Sequence, residues 1–189
     1  MEAFFIYYLR SINYNKMVLT RSASESHTIM NEIVLPNDTN TLNNLMGGKL
    51  LHWMDICAAI SAQKYSGKTV VTASVDSVSF RKSIRLGDVV TLEAKVTRAF
   101  NTSMEVHIIV HAADIPSGEV YKSNEAYYTF VAIDRSGSPL KVPQLIPESD
   151  DEQKKFDGAL RRRQLRLILA GKMKPDEASE LKALFFPEE

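Results

Sequence analysis

Lys49 to Ile60 reads Lys-Leu-Leu-His-Trp-Met-Asp-Ile-Cys-Ala-Ala-Ile, and wound as a helix it carries apolar side chains in nearly every direction. A helix that is apolar on all sides is normally buried in the middle of a fold. Ser61 to Tyr65 continue it with more polar character, and Gly67 is placed to end it. Whatever else the chain builds must therefore enclose this segment.

The enclosing material is β-structure. His27 to Leu35 reads as a first strand, closed by the turn formers Pro36-Asn37-Asp38. Val90, Leu92, Ala94 and Val96 alternate with polar residues, as do Met104, Val106, Ile108 and Val110. Val71, Ala73 and Val75 switch parity to Val78 and Phe80, which predicts a β-bulge near Asp76-Ser77. Turn signals at Leu86-Gly87-Asp88, Asn101-Thr102-Ser103, Pro116-Ser117-Gly118 and Arg135-Ser136-Gly137 give short connections, hence antiparallel neighbours. One apolar helix and about five or six such strands predict an α+β fold whose sheet wraps around the helix.

Ends and composition set the bounds. With 44% apolar and 24% charged residues the chain has the composition of an ordinary globular protein. Its 23 basic and 23 acidic residues leave no basic excess for general nucleic-acid binding. The single cysteine, Cys57, excludes an intrachain disulfide and fits a reducing compartment. The apolar run Ala3–Leu9 is far short of the ~20 residues that span a bilayer, and Glu2 with its bulky successors does not suit a signal peptide. Residues 1–26 are read as an N-terminal extension in which Met17 is the expected natural start, leaving 1–16 as upstream sequence. Residues 27–147 form the predicted domain. From 148 to 189 the chain turns acidic, then forms a basic amphipathic helix near Asp151–Ala170 and a short one after Pro175, an appendage to the domain.

Asp55 demands an explanation. It lies in the body of the apolar helix between Met54 and Ile56, with Leu51 and Ala59 one turn away on either side. An ionised carboxylate buried without a partner is costly, so such a group is either paired through tertiary contacts or kept for chemistry. The approach to the helix, Asn44-Leu45-Met46-Gly47-Gly48, sets a polar side chain and two glycines just before the first turn. Unsatisfied N–H groups and the positive dipole end suit a carbonyl that becomes an oxyanion, and glycines let it approach closely. A Gly-Gly pair alone is more often a simple tight turn.

The string from Asn37 to Gly48, followed by Leu51-His52-Trp53-Met54-Asp55, resembles the hallmark of the hotdog-fold acyl-CoA thioesterases. It is similar in particular to the bacterial YciA type and the brain acyl-CoA hydrolase of animals. Val71 to Phe80, and Gly87-Asp88-Val89-Val90 leading on to Thr102-Ser103-Met104-Glu105, match as well, so the likeness spans about residues 27–135. It departs at Met46, where the animal relatives carry His, and at Ile56, where many carry Glu.

The resemblance implies a hotdog fold, Asp55 as the catalytic carboxylate and Asn44 as the catalytic amide. The implied activity is hydrolysis of acyl-CoA to a free acid and coenzyme A, with no metal and no cofactor. It also implies a dimer with one continuous sheet, Asn44 of one subunit facing Asp55 of the other, and a trimer of such dimers in the cytoplasm. A backbone N–H near Gly48 would polarise the thioester carbonyl, and Asp55 would act as general base or as nucleophile.

Gly47, Ser74, Arg98, Thr102 and Ser103 are the expected ligand contacts in the domain. Arg161-Arg162-Arg163-Gln164-Leu165-Arg166, with Lys172 and Lys174, is a candidate dock for the coenzyme A phosphates, since arginine's forked donors suit phosphate. A solvated helix face or a subunit contact is the commoner role for such a run. Arg98 and Lys82 are weaker candidates for the same duty.

His52, three residues before Asp55, shares a helix face with it, and the pair would suit a hydratase of the same fold. A non-catalytic acyl-CoA sensor is the other alternative, although a sensor would normally have lost the carboxylate. His107 and His111 share a strand face beside Glu105 without a third convergent ligand, so no metal site is expected. No G-x-S-x-G elbow surrounds Ser74, Ser77 or Ser79, and Cys57 reads as a packing residue.

Overall fold

A computed structural model describes residues 19–185 apart from Ser77 and Arg81. The predicted start at Met17 and the segment 1–16 lie outside the described residues. In chain order the elements are β1 (Thr20–Ser22), β2 (Thr28–Ile33), α1 (Gly47–Ser66), β3 (Thr69–Asp76), β4 (Val89–Ala99), β5 (Ser103–Asp114), β6 (Glu119–Ile133), β7 (Gln144–Ile146), α2 (Asp150–Leu169) and α3 (Ser179–Lys182). Five strands form one antiparallel sheet in the order β2-β4-β5-β6-β3, while β1 and β7 pair in parallel beside it. This is the α+β hotdog arrangement that the patterning and the resemblance led us to expect.

The alternation in β4 and β5 sends Val90, Leu92, Ala94, Val96, Met104, Val106, Ile108 and Val110 to one fully buried face. Ala126, Tyr128, Phe130 and Ala132 of β6 join them, and Trp53, Met54, Cys57, Ala58, Ala62 and Tyr65 of α1 close the core from above. The helix stops at Gly67, whose φ of 64° lets its N–H reach the Gln63 carbonyl at 2.8 Å. A Cβ there would meet nothing within 4 Å, so the cost of Gly67→Ala is backbone strain alone. We expect ~1 kcal/mol of destabilisation, read as a lower urea midpoint.

Three expectations are corrected. The two glycines are the first residues of α1, not the approach to it, with Met46 at the N-cap. The helix is buried on one side only: His52, Ile56 and Ile60 form an open stripe at a four-residue spacing, with Ile56 and Ile60 37% and 40% exposed. A single sheet covers one face of a helix, so the second apolar face stays open in one chain.

The bulge, third, falls between Thr72 and Ser74 rather than at Asp76-Ser77, and Ser77 itself lies outside the described residues. With Ala73 as the extra residue, Thr72 pairs with inward-facing Phe130, whereas Ser74 pairs with outward-facing Thr129. β3 is an edge strand, and Val71 and Val75 are exposed rather than core.

The C-terminal segment packs on the sheet. Ser149 caps α2 by accepting the Glu152 N–H, and the helix lies against the outer face of the sheet. Glu105 of β5, almost fully buried, takes two hydrogen bonds from Arg162, at 2.9 and 2.7 Å. Arg162 also stacks over Tyr127 at 3.7 Å, and Arg166 bridges Asp76 and Thr129.

Candidate active site

Asp55 sits on α1 where the open stripe meets the edge strand. It is half-buried, and Thr72 Oγ1 donates to its Oδ1 at 2.7 Å. The bulge makes this contact, because it turns Thr72 inward while Ser74 and Asp76 face the other way. The second carboxylate oxygen accepts no hydrogen bond from the described residues. Below lies Tyr128, fully buried, whose hydroxyl donates to the Leu51 carbonyl at 3.4 Å. Burial first, and the Asp55 charge second, push this phenol up to about 12, so it stays protonated at neutral pH. A held carboxylate with one free oxygen suits proton abstraction or nucleophilic attack.

The second half of the site is the start of α1. Lys49 and Leu50 both donate to the Met46 carbonyl, while the N–H groups of Gly47 and Gly48 have no acceptor among the described residues. Gly47 borders a cleft of about 400 Å³ whose wall also includes Asn40, Asn44, Phe80 and Asn124. A Cβ on Gly47 would lie 3.1 Å from the Phe80 ring, whereas one on Gly48 would meet nothing within 4 Å. Glycine at 47 therefore keeps room for Phe80 over the helix end, and glycine at 48 leaves the backbone bare.

The loop before the helix is organised by Asn40. Its Oδ1 accepts the N–H groups of Leu42 and Asn44, at 2.9 and 3.2 Å, which leaves its side-chain NH2 without an acceptor among the described residues. Asn44 answers through its backbone, its carbonyl accepting the Asn40 N–H at 2.8 Å, and its own side chain has no described partner. Lys49 pins the loop from inside through buried Asp38 at 3.1 Å.

Within one chain the two halves stay apart. Asp55 is eight residues into a helix that begins at Gly47, which is ~12 Å along the axis. Neither Asn40 nor Asn44, both ahead of that helix, reaches it.

The remaining candidates are distributed elsewhere. Ser74 faces the outer side of the sheet, weakly bonded to Asp76 at 3.5 Å. Ser103 begins β5 and accepts from Arg163, while the Thr102 carbonyl accepts the Ala132 N–H. Arg162 is paired with Glu105 through Nε and Nη2. Its neighbour Arg161 is half-buried without a hydrogen-bond partner among the described residues. Arg98 donates to the Phe156 carbonyl, and Lys82 pairs with Glu119. Lys172 and Lys174 are exposed.

His52 is exposed and makes no bond to Asp55. His107 is buried and stacked on Tyr127, and burial, then the Lys155 charge, hold its pKa below the usual value. No group of three metal-ligating side chains occurs among the described residues. Burial, reinforced by Glu93, pushes the Cys57 thiol up to about 11, which leaves it inert at neutral pH. No described helix is long and apolar enough to cross a membrane.

Sequence reading missed Asn40 and Thr72. The Asn40-Thr41-Leu42 turn signalled the first, since Asn side chains commonly lock turns of this kind. Thr72 needed the bulge position, which alternation alone misplaced.

The thioesterase superfamily model matches residues 42–119. A Bacillus subtilis protein described as the uncharacterized acyl-CoA thioester hydrolase YkhA is 41% identical over 133 residues, covering 70% of this chain and 77% of that one. Mouse acyl-coenzyme A thioesterase 11 is 41% identical over 145 residues, but these are 77% of this chain and only 24% of that longer protein. An apo-hexameric acyl-CoA thioesterase superposes with a TM-score of 0.78 at 40% identity, covering 81% of this chain and 98% of that chain. An acyl-CoA hydrolase of Staphylococcus aureus, solved with butyryl coenzyme A, coenzyme A and coenzyme A disulfide, gives 0.74 at 39% identity, covering 81% and 95%. That hydrolase has also been solved with alanine in place of an asparagine, of an aspartate fifteen residues later, and of a threonine seventeen residues further on.

Proposed function

The chain belongs to the thioesterase superfamily, and on that premise we propose that it hydrolyses acyl-CoA, with Asp55 of one subunit working against the helix-start loop of another. The hydrogen bond from Thr72 to Asp55, set beside an open strand edge and an open apolar stripe, carries this reading. A carboxylate so placed needs a facing surface, and the free N–H groups and amide side chains of the loop are what its own chain holds out of reach.

In this mechanism the thioester carbonyl accepts from the Gly48 N–H at the start of α1, where the helix dipole favours developing negative charge. Asp55 removes a proton from water as it attacks the carbonyl carbon, or attacks directly to form an anhydride that water then opens. The C–S bond breaks, the thiolate of coenzyme A leaves and is protonated, and the acid is released. Thr72 holds one carboxylate oxygen so that the other faces the reacting atoms. Because a thiolate is a good leaving group, the scheme uses no metal or cofactor.

The amide partner is better read as Asn40 than as the expected Asn44. Asn40, Asp55 and Thr72 stand at the same separations as the three residues replaced in the Staphylococcus aureus hydrolase. Its Oδ1 is held by two backbone groups, so its NH2 is aimed to orient the water or bind the developing charge. Asn44 then serves the loop through its backbone.

Thiol release from short-, medium- and long-chain acyl-CoA tests this. Asn40→Ala is expected to lower kcat ~30-fold or more, and Asn44→Ala only a few-fold. The reverse order would return the role to Asn44, and no thiol release by the wild type would sink the hydrolytic reading.

A two-fold dimer joined along the β3 edges would extend the sheet and cover Val71, Val75, Ile56 and Ile60. A trimer of these dimers follows the hexameric relative, and a cytoplasmic location follows relatives such as the rat cytosolic acyl coenzyme A thioester hydrolase.

A further inference from the structure

We propose that Asn124 is a positioning residue for the hydrolysis: from β6 it clamps the segment 79–83 across the start of α1, so that Phe80 screens from bulk water the place where the thioester carbonyl is received. The inference rests on the hydrolytic reading above. Beyond Asp76, where β3 ends, the described residues up to Ile84 belong to no strand. Side chains of β6 hold their backbone instead. Asn124 Nδ2 donates to the Ser79 carbonyl at 2.6 Å, and the Ser123 hydroxyl lies 2.8 Å from the carbonyl of Lys82. The Tyr121 hydroxyl lies 3.0 Å from the Ser83 carbonyl, and the Lys82 ammonium sits 3.8 Å from the centre of the Tyr121 ring.

A second bulge makes the clamp. In β6 Asn124 pairs with Val110 and Lys122 with His111, which leaves Ser123 as an extra residue. Parity therefore flips, and Asn124 and Tyr121 both face the core side, paired with buried Val110 and Ala112. Without the extra residue one of the two would point outward. Ser123 and Asn124 are almost fully buried, and polar groups in such a place cost stability unless they are bonded. Their partners are the carbonyls of the clamped segment.

What the clamp holds in place is Phe80. Its ring is 58% exposed, yet it packs so close to Gly47 that a Cβ there would be 3.1 Å away. Phe80, Asn124 and Gly47 line the same cleft. A ring at that position keeps water from competing for the N–H groups at the helix start as charge develops on the carbonyl oxygen. Such shielding acts only once the charge develops, so it belongs to kcat rather than to KM.

Thiol release from acyl-CoA by full-length Phe80→Ala, Asn124→Ala and the double variant tests this. Each single change is expected to lower kcat ~10-fold with KM within about two-fold, and Phe80→Leu to recover most of the loss. Because Asn124 acts through Phe80, the double variant should fall no more than about two-fold below the less active single variant. Trypsin should cut after Lys82 ~10-fold faster in Asn124→Ala, since the segment opens without its clamp. Ser123→Ala supplies the same comparisons if Asn124→Ala does not melt cooperatively. Unchanged kcat in Phe80→Ala, losses that multiply to ~100-fold in the double variant, or cleavage after Lys82 at the wild-type rate each overturn this inference alone. A wild type that releases no thiol sinks the hydrolytic reading, and this inference with it.

Discussion

Asp55→Asn is expected to cut thiol release from acyl-CoA by ~100-fold or more in kcat, with the protein still folded. The replacement is nearly isosteric, and the amide oxygen still accepts from Thr72, so the loss reports the missing base or nucleophile. Thr72→Val leaves the carboxylate in place but unheld and should fall between that variant and wild type. The intersubunit arrangement makes a sharper prediction. Refolded together, Asp55→Asn and Asn40→Ala chains form mixed dimers in which one of the two sites has both groups intact. Activity should recover to roughly a quarter of wild type, because about half of the dimers are mixed. No recovery on mixing would place both groups in one subunit's site, against the ~12 Å of helix that separates them.

Glu105→Ala should destabilise the protein by ~3 kcal/mol, the low end for breaking a buried ion pair, since Arg162 is partly open to solvent. The cost comes from leaving the guanidinium beneath α2 without its carboxylate, against Tyr127 and the sheet. Urea midpoints at fixed protein concentration measure it, which keeps assembly from shifting the comparison. Replacing both partners together, Glu105→Leu with Arg162→Met, should recover most of the loss, because neither charge is then buried alone. A single-variant loss below ~1 kcal/mol would mean that solvent screens the pair and that α2 is held by its apolar contacts.

Both experiments turn on features that were unequally visible in the chain. The strand alternation from Val90 to Val96 and from Met104 to Val110 was legible because period-two patterning is a direct image of a sheet buried on one face. Gly67 was legible as a stop because few other residues adopt its positive φ. Asp55 was visible by contrast with its apolar neighbours. The role of Arg162 was not, because a basic helix reads alike whether its arginines face water, a phosphate or the back of a sheet. Glu105 lies 57 residues away, and no local pattern links the two.

The residue types and their periods therefore determined the local elements, the antiparallel sheet and the oddity of a carboxylate in an apolar helix. Tertiary structure decided the rest, because those outcomes depend on which faces meet. One inserted residue, Ala73, sent Thr72 to Asp55 and Ser74 to the opposite side, and moving that bulge by a few positions would put both on the same face. The covering of α1 was settled in the same way: its composition is apolar all round, but a single sheet has only one face to give it, and the other side stays open for a second subunit.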